Sequence, residues 1–104
     1  MEGEPVGIVD LFDIDLLHQR GAVGILVYPA NLQGRGYGQQ MLELLFGYAR
    51  TTLQLHQLYA EIRADNAGSL RLFTRAGFRT IGTKREWLRC PEGYVDVKCL
   101  QKLL

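Results

Sequence analysis

Cysteine is scarce in this 104-residue chain: Cys90 and Cys99 are the only two. That is far too few for a disulfide scaffold, and they stand at no metal-ligand or redox spacing, so we expect a reduced, cytoplasmic setting and no metal site. An excess of one charge is missing as well. Lys and Arg total 12 against 11 Asp and Glu, a net charge of +1, which gives no field that would draw the molecule to nucleic acid or an anionic membrane. Long apolar runs are also absent. Nothing approaches the ~18 apolar residues of a membrane span, and the acidic start Met1-Glu-Gly-Glu-Pro5 has no apolar signal core. What is present, 47% apolar and 22% charged residues, suits one small soluble domain over residues 1–104 with room for one core.

The apolar and β-branched run from Val6 to Phe12 predicts a strand, followed by a polar turn at Asp13, Asp15, His18, Gln19 and Arg20. Gly21 to Tyr28 is nearly all apolar, as in a central strand covered on both faces, and Pro29 and Asn31 end it. Met41, Leu44, Leu45 and Tyr48 fall at helical spacing, widened by Leu42, Phe46, Ala49 and Leu53. From Leu58 to Ala64 the period is two, with Leu58, Ala60 and Ile62 against Tyr59, Glu61 and Arg63. Asn66 starts a second helix, which Gly77 ends by suiting the left-handed position, with Phe78 making the accompanying apolar contact. Strands from Phe78 to Arg89 and from Tyr94 to Leu103 flank a tight reversal at Cys90-Pro-Glu-Gly93. The order is β-β-α-β-α-β-β, an α/β (α+β) arrangement with a mixed sheet and no repeat or linker.

Gln33-Gly-Arg-Gly-Tyr-Gly38, placed between a strand and a helix, fits an anion. Free amides and the dipole at a helix start attract phosphate. Gly34, Gly36 and Gly38 remove side chains that would hold a pyrophosphate away, and Arg35 adds charge at the rim. The spacing is neither that of a P-loop nor that of the dinucleotide fingerprint. The same glycines also suit a tight turn or close packing alone. Further on, Asn66-Ala-Gly-Ser69-Leu-Arg-Leu-Phe73-Thr-Arg75-Ala-Gly77-Phe78 combines a good N-cap, an apolar stripe and basic Arg71 and Arg75.

Together, Gln33, Gly36, Gly38 and the Asn66-x-x-Ser69, Phe73, Gly77-Phe78 series resemble the paired signatures of the GNAT acetyltransferase superfamily. The subgroup with spermidine/diamine and ribosomal-protein N-terminal acetyltransferases is the most similar, through His18 to Val27 and the hairpin Glu86-Trp87 to Tyr94-Val-Asp96. The resemblance implies acetyl-CoA as cosubstrate and an amine acceptor, a polyamine or a protein N-terminus. It implies that backbone groups of Ile25, Leu26 and Val27 hold the pantetheine and thioester. Gln33, Gly34, Arg35, Gly36, Tyr37, Gly38 and Gln39 would take the pyrophosphate, and Asn66, Ser69, Phe73 and Arg75 would line the rest.

Several positions depart from that pattern. The family's usual tyrosine acid is Phe73, which slows transfer by up to ~10² to 10⁴ if nothing replaces it. A glutamate common in relatives stands as Ala22. Glu61, His18 and Glu86 are the substitute bases, each with a plain alternative: a solvated strand charge paired with Arg63, a turn residue, and a hairpin surface charge. Tyr28, Tyr37, Tyr59 and Tyr94 offer phenols that spacing does not separate, and His56 reads as part of the first helix's end. The family's opening strand, two helices and further strand are expected to be missing, an N-terminal truncation that leaves the Val6 to Phe12 strand with a free edge and favours a homodimer or strand exchange. A non-catalytic acyl-CoA-binding or dimerising module is the alternative.

Overall fold

Leu58, Ala60 and Ile62 turn one way and Tyr59, Glu61 and Arg63 the other, and that alternation organises the molecule. The computed structural model describes residues 7–27 and 37–104. Its elements are β1 (Gly7–Asp15), β2 (Arg20–Val27), α1 (Tyr37–Thr51), β3 (Gln57–Arg63), α2 (Ala67–Arg75), β4 (Arg79–Cys90) and β5 (Gly93–Leu103), in the expected order. They form a five-stranded sheet ordered β1-β2-β3-β5-β4. Only β2 and β3 run parallel; the other neighbours are antiparallel.

The first strand extends further than the sequence suggested. β1 continues through Asp13 and Ile14 to Asp15, because an irregularity between Phe12 and Asp15 absorbs the polar residues, with Asp13 at φ 50°. The turn itself is held by the Asp15 carboxylate, which accepts from the His18 amide at 3.0 Å. That hydrogen bond holds the Asp15 carboxyl below its usual range.

Both helices cover one face. Leu42, Leu45, Phe46 and Ala49 of α1 meet Leu58, Ala60 and Ile62 of β3, Val23 of β2 and Leu100 of β5, and Phe73, Ala76 and Phe78 close the same cluster. Val9 and Leu11 of β1 pack against it. The Phe73 and Phe78 rings meet nearly edge-on at 5.0 Å, and Phe46 lies 6.0 Å from Phe78. Such pairs add about 0.5–1.5 kcal/mol beyond burial. The cap expected after α2 forms: Gly77 sits at φ 102°, and the Phe78 amide donates to the Phe73 carbonyl at 3.0 Å.

The opposite face carries the alternate residues. Cross-strand partners share a face, so Asp10, Phe12, Ala22, Gly24, Tyr59 and Glu61 lie together on it. No helix covers this face among the described residues, so β2 is interior in the sheet but not covered on both sides as its sequence suggested. Ala22 is nonetheless buried beside its strand partners Phe12 and Tyr59.

Candidate active site

The sheet opens along one seam. β2 and β3 pair only through Arg20↔Gln57, Gly21↔Leu58 and Ala22↔Tyr59, although β2 runs to Val27 and β3 to Arg63. On their outer sides both strands remain paired, β2 with β1 as far as Gly7↔Val27 and β3 with β5 as far as Arg63↔Val97. Residues 23–27 and 60–63 therefore have no ladder between them. Backbone amides and carbonyls left without a strand need other partners. An extended chain carrying amides satisfies them as an added strand would. The pantetheine arm of coenzyme A is such a chain, and Ile25, Leu26 and Val27 lie on one side of the seam.

Both helix starts lie at the end of the sheet where the seam opens, because α1 and α2 follow the C-terminal ends of β2 and β3. Ligands of open α/β sheets bind at that end. α1 begins at Tyr37, with Gly38 buried and Gln39 half-buried; Gln33, Gly34, Arg35, Gly36 and Tyr28 lie outside the described residues. The cap of α2 is formed as expected, the Asn66 side-chain oxygen accepting from the Ser69 amide at 3.1 Å. Arg75 is exposed in the last turn of α2. Phe73 is 2% exposed and belongs to the core. Its ring carries no hydroxyl that could donate a proton.

Glu61 stands beside the seam on the open face, two residues beyond Tyr59. Its expected partner is corrected: Arg63 turns to Asp65, donating from Nε at 3.1 Å and from Nη2 at 2.9 Å. This fork holds the Asp65 carboxyl below its ordinary range and raises the Arg63 guanidinium. Glu61 is bound instead by the Lys84 ammonium of β4, and that carboxylate pushes Lys84 above the usual lysine range. Lys84 also lies 4.7 Å from the centre of the Trp87 ring.

The local cause is a bulge. Lys84↔Val97 and Leu88↔Val95 are successive pairs of the β4–β5 ladder, so Arg85, Glu86 and Trp87 oppose Asp96 alone. Asp96 pins the excess, its carboxylate accepting from the Glu86 amide at 2.8 Å, with Glu86 at φ 51°. Glu86 is thereby a bulge residue, exposed at the edge.

The other substitute bases are dispersed. His18 sits in the β1–β2 turn before Arg20, and Arg20 pairs with Gln57, so four residues of strand, about 13 Å, separate that level from Glu61. His56 follows α1 in a connecting role, its amide donating to the Gln19 carbonyl at 2.7 Å and its carbonyl accepting from Leu104 at 2.9 Å. Tyr94 is exposed next to the β4–β5 turn. Tyr59, in contrast, is half-buried on the open face at the last β2–β3 pair. Sequence spacing does not separate it from Tyr28, Tyr37 and Tyr94, and nothing in the sequence marks Asp10 or Lys84. Asp10 pairs with Gly24, which places a second carboxylate on this face across β2 from the seam. The period-two pattern of β3 carried the signal for Tyr59; register alone reveals Asp10 and Lys84.

A parallel strand pair that separates toward its C-terminal ends leaves backbone groups of both strands open to an extended ligand. The sequence comparison names the family. A model described as the acetyltransferase (GNAT) domain matches residues 1–79, and the chain belongs to that family. The chain is 28% identical over 93 residues to spermidine N(1)-acetyltransferase of Vibrio cholerae, covering 89% of this chain and 53% of that protein. The Escherichia coli K12 spermidine N(1)-acetyltransferase is 30% identical over 81 residues, covering 78% and 43%. A crystal structure of the Vibrio cholerae enzyme in complex with CoA and spermine superposes with TM-score 0.86 at 28% identity, covering 94% of this chain and 57% of that one. This chain thus spans about half the length of the relatives it matches.

Proposed function

We propose that this protein transfers an acetyl group from acetyl-CoA to a primary amine, and that the seam between β2 and β3 is where the cosubstrate lies. The carrying observation is that pairing stops at Ala22↔Tyr59 while both strands continue. The cosubstrate supplies an activated acetyl group. Backbone groups of Ile25, Leu26 and Val27 orient it, and one amide there stabilises developing negative charge on the carbonyl oxygen. Gln33 to Gln39 hold the pyrophosphate and Asn66 to Arg75 the remainder.

The helix face is closed by the core, so the acceptor comes from the open face. Its amine must lose a proton before attack, and Glu61 is the carboxylate beside the seam that takes it, directly or through water. The acceptor class is a polyamine, as the names of these relatives suggest, or a protein N-terminal amine, as the sequence resemblance implies. Incubation with acetyl-CoA and an amine panel is expected to release free thiol in proportion to acetylated amine. Cofactor-dependent stabilisation without thiol release would instead make the chain a non-catalytic acyl-CoA binder.

The homodimer belongs to the same proposal. β1 is an edge strand over Gly7–Asp15, with Phe12 and Ile14 partly exposed. An unpaired edge with apolar side chains favours pairing with a second copy. A structural neighbour, the Vibrio cholerae spermidine N-acetyltransferase, is described as dodecameric. Sedimentation is expected to show a dimer or larger oligomer; a monodisperse monomer would refute this part. The free thiols of Cys90 and Cys99 fit a reducing, cytoplasmic setting. No described helix is long and apolar enough to cross a membrane.

A further inference from the structure

The Lys84 ammonium sits between a carboxylate and an aromatic face. Glu61 supplies the carboxylate and Trp87 the ring face 4.7 Å away. A carboxylate combined with an aromatic face is a general solution for binding an organic cation. Lys84 carries the site's occupant on a flexible stem, and both ion-pair partners stay accessible, their side chains 37% and 45% exposed. The site adjoins the seam on the face that no helix covers among the described residues, and Asp10 lies on that face across β2.

We infer that Lys84 is a tethered competitor for the acceptor's ammonium: it fills the Glu61–Trp87 site in the resting protein and is displaced when a di- or polyamine binds. The identity of that ligand rests on the acetyltransferase reading; occupation of the site by Lys84 does not. Trp87 belongs to the bulge that Asp96 pins through the Glu86 amide, so the β4–β5 hairpin places it three residues from Lys84 on the same strand.

Exposed ion pairs are weak, and therefore displaceable. Their usual strength corresponds to about a 1.4- to five-fold change in equilibrium. Trp87 is the single tryptophan of the chain, so its fluorescence reports on the site directly. Titration with a linear triamine, without acetyl-CoA, is expected to change that fluorescence in the wild type. Lys84→Met, which keeps the apolar stem and removes the charge, should bind the triamine tighter, by about 1.4- to five-fold. Lys84→Arg should stay near wild type, since it retains a tethered cation, and Glu61→Gln should weaken binding.

Equal or weaker triamine affinity in Lys84→Met than in wild type overturns the inference, as does the absence of a Trp87 response in both. Thiol release measured on the same samples separates the two readings. Tighter triamine binding in Lys84→Met without thiol release defeats the acetyltransferase reading and supports the competitor. Thiol release with no effect of Lys84→Met on triamine affinity defeats the competitor alone.

Discussion

Phe73→Tyr is expected to raise kcat for acetyl transfer by about 10² or more, within the ~10² to 10⁴ that a positioned acid contributes. The resemblance of the Asn66 to Phe78 segment to the family signature implies that this is the position where the family commonly carries a tyrosine acid. In this chain the ring packs against Phe78 at 5.0 Å and is 2% exposed. On the proposed function, the departing thiolate, with a pKa of about 8.5, would leave without an acid and so more slowly. A hydroxyl added to the ring either reaches the seam and donates there, or is buried without a partner. Burial without a partner costs about 1–3 kcal/mol of stability. Steady-state kinetics and thermal unfolding of the same variant distinguish these outcomes. Higher kcat at a small loss of stability places Phe73 at the reacting sulfur; unchanged kcat with a clear loss of stability makes it a core residue only. Truncating the ring is a poor test, because a buried Phe→Ala change costs about 3–5 kcal/mol and would obscure any effect on rate.

How much of this was legible from sequence depends on whether local chemistry or register decides. The N-cap at Asn66 and the left-handed Gly77 are local requirements, and both formed where the sequence placed them. β3 followed its alternation because Leu58, Ala60 and Ile62 had two amphipathic helices to pack against. The length of β1 was misjudged, since a bulge lets polar Asp13 and Asp15 remain in a strand. The partner of Glu61 was misjudged for a different reason. Arg63 is nearest in sequence on the same face, but Asp65 offers its guanidinium a bidentate fork, while Lys84 arrives from β4, two strands away across β5. No pattern in the chain encodes that meeting. The seam is likewise invisible in sequence, because β2 and β3 each read as ordinary strands and only their pairing shows where the sheet opens.

The second large effect concerns the glycine turn, and with it the claim on which every other depends. If Gln33 to Gln39 cradle the pyrophosphate, acetyl-CoA binds the folded chain and not the unfolded one. At a hundredfold excess over Kd such a ligand contributes about 2.7 kcal/mol. For a chain of this size that raises the unfolding midpoint by roughly 10 °C or more. Changing Gly36 and Gly38 together to Val adds two branched side chains where phosphate must approach backbone amides, and should remove the shift. Gly38 is also buried in the first turn of α1, so the variant's own midpoint without ligand provides the control for folding.

The most direct measurement is therefore thermal unfolding with and without acetyl-CoA, for the wild type and for the Gly36→Val, Gly38→Val double variant. The account predicts a rise of about 10 °C in the wild type and none in a folded double variant. No rise in well-folded wild-type protein, or an equal rise in the double variant, would contradict it.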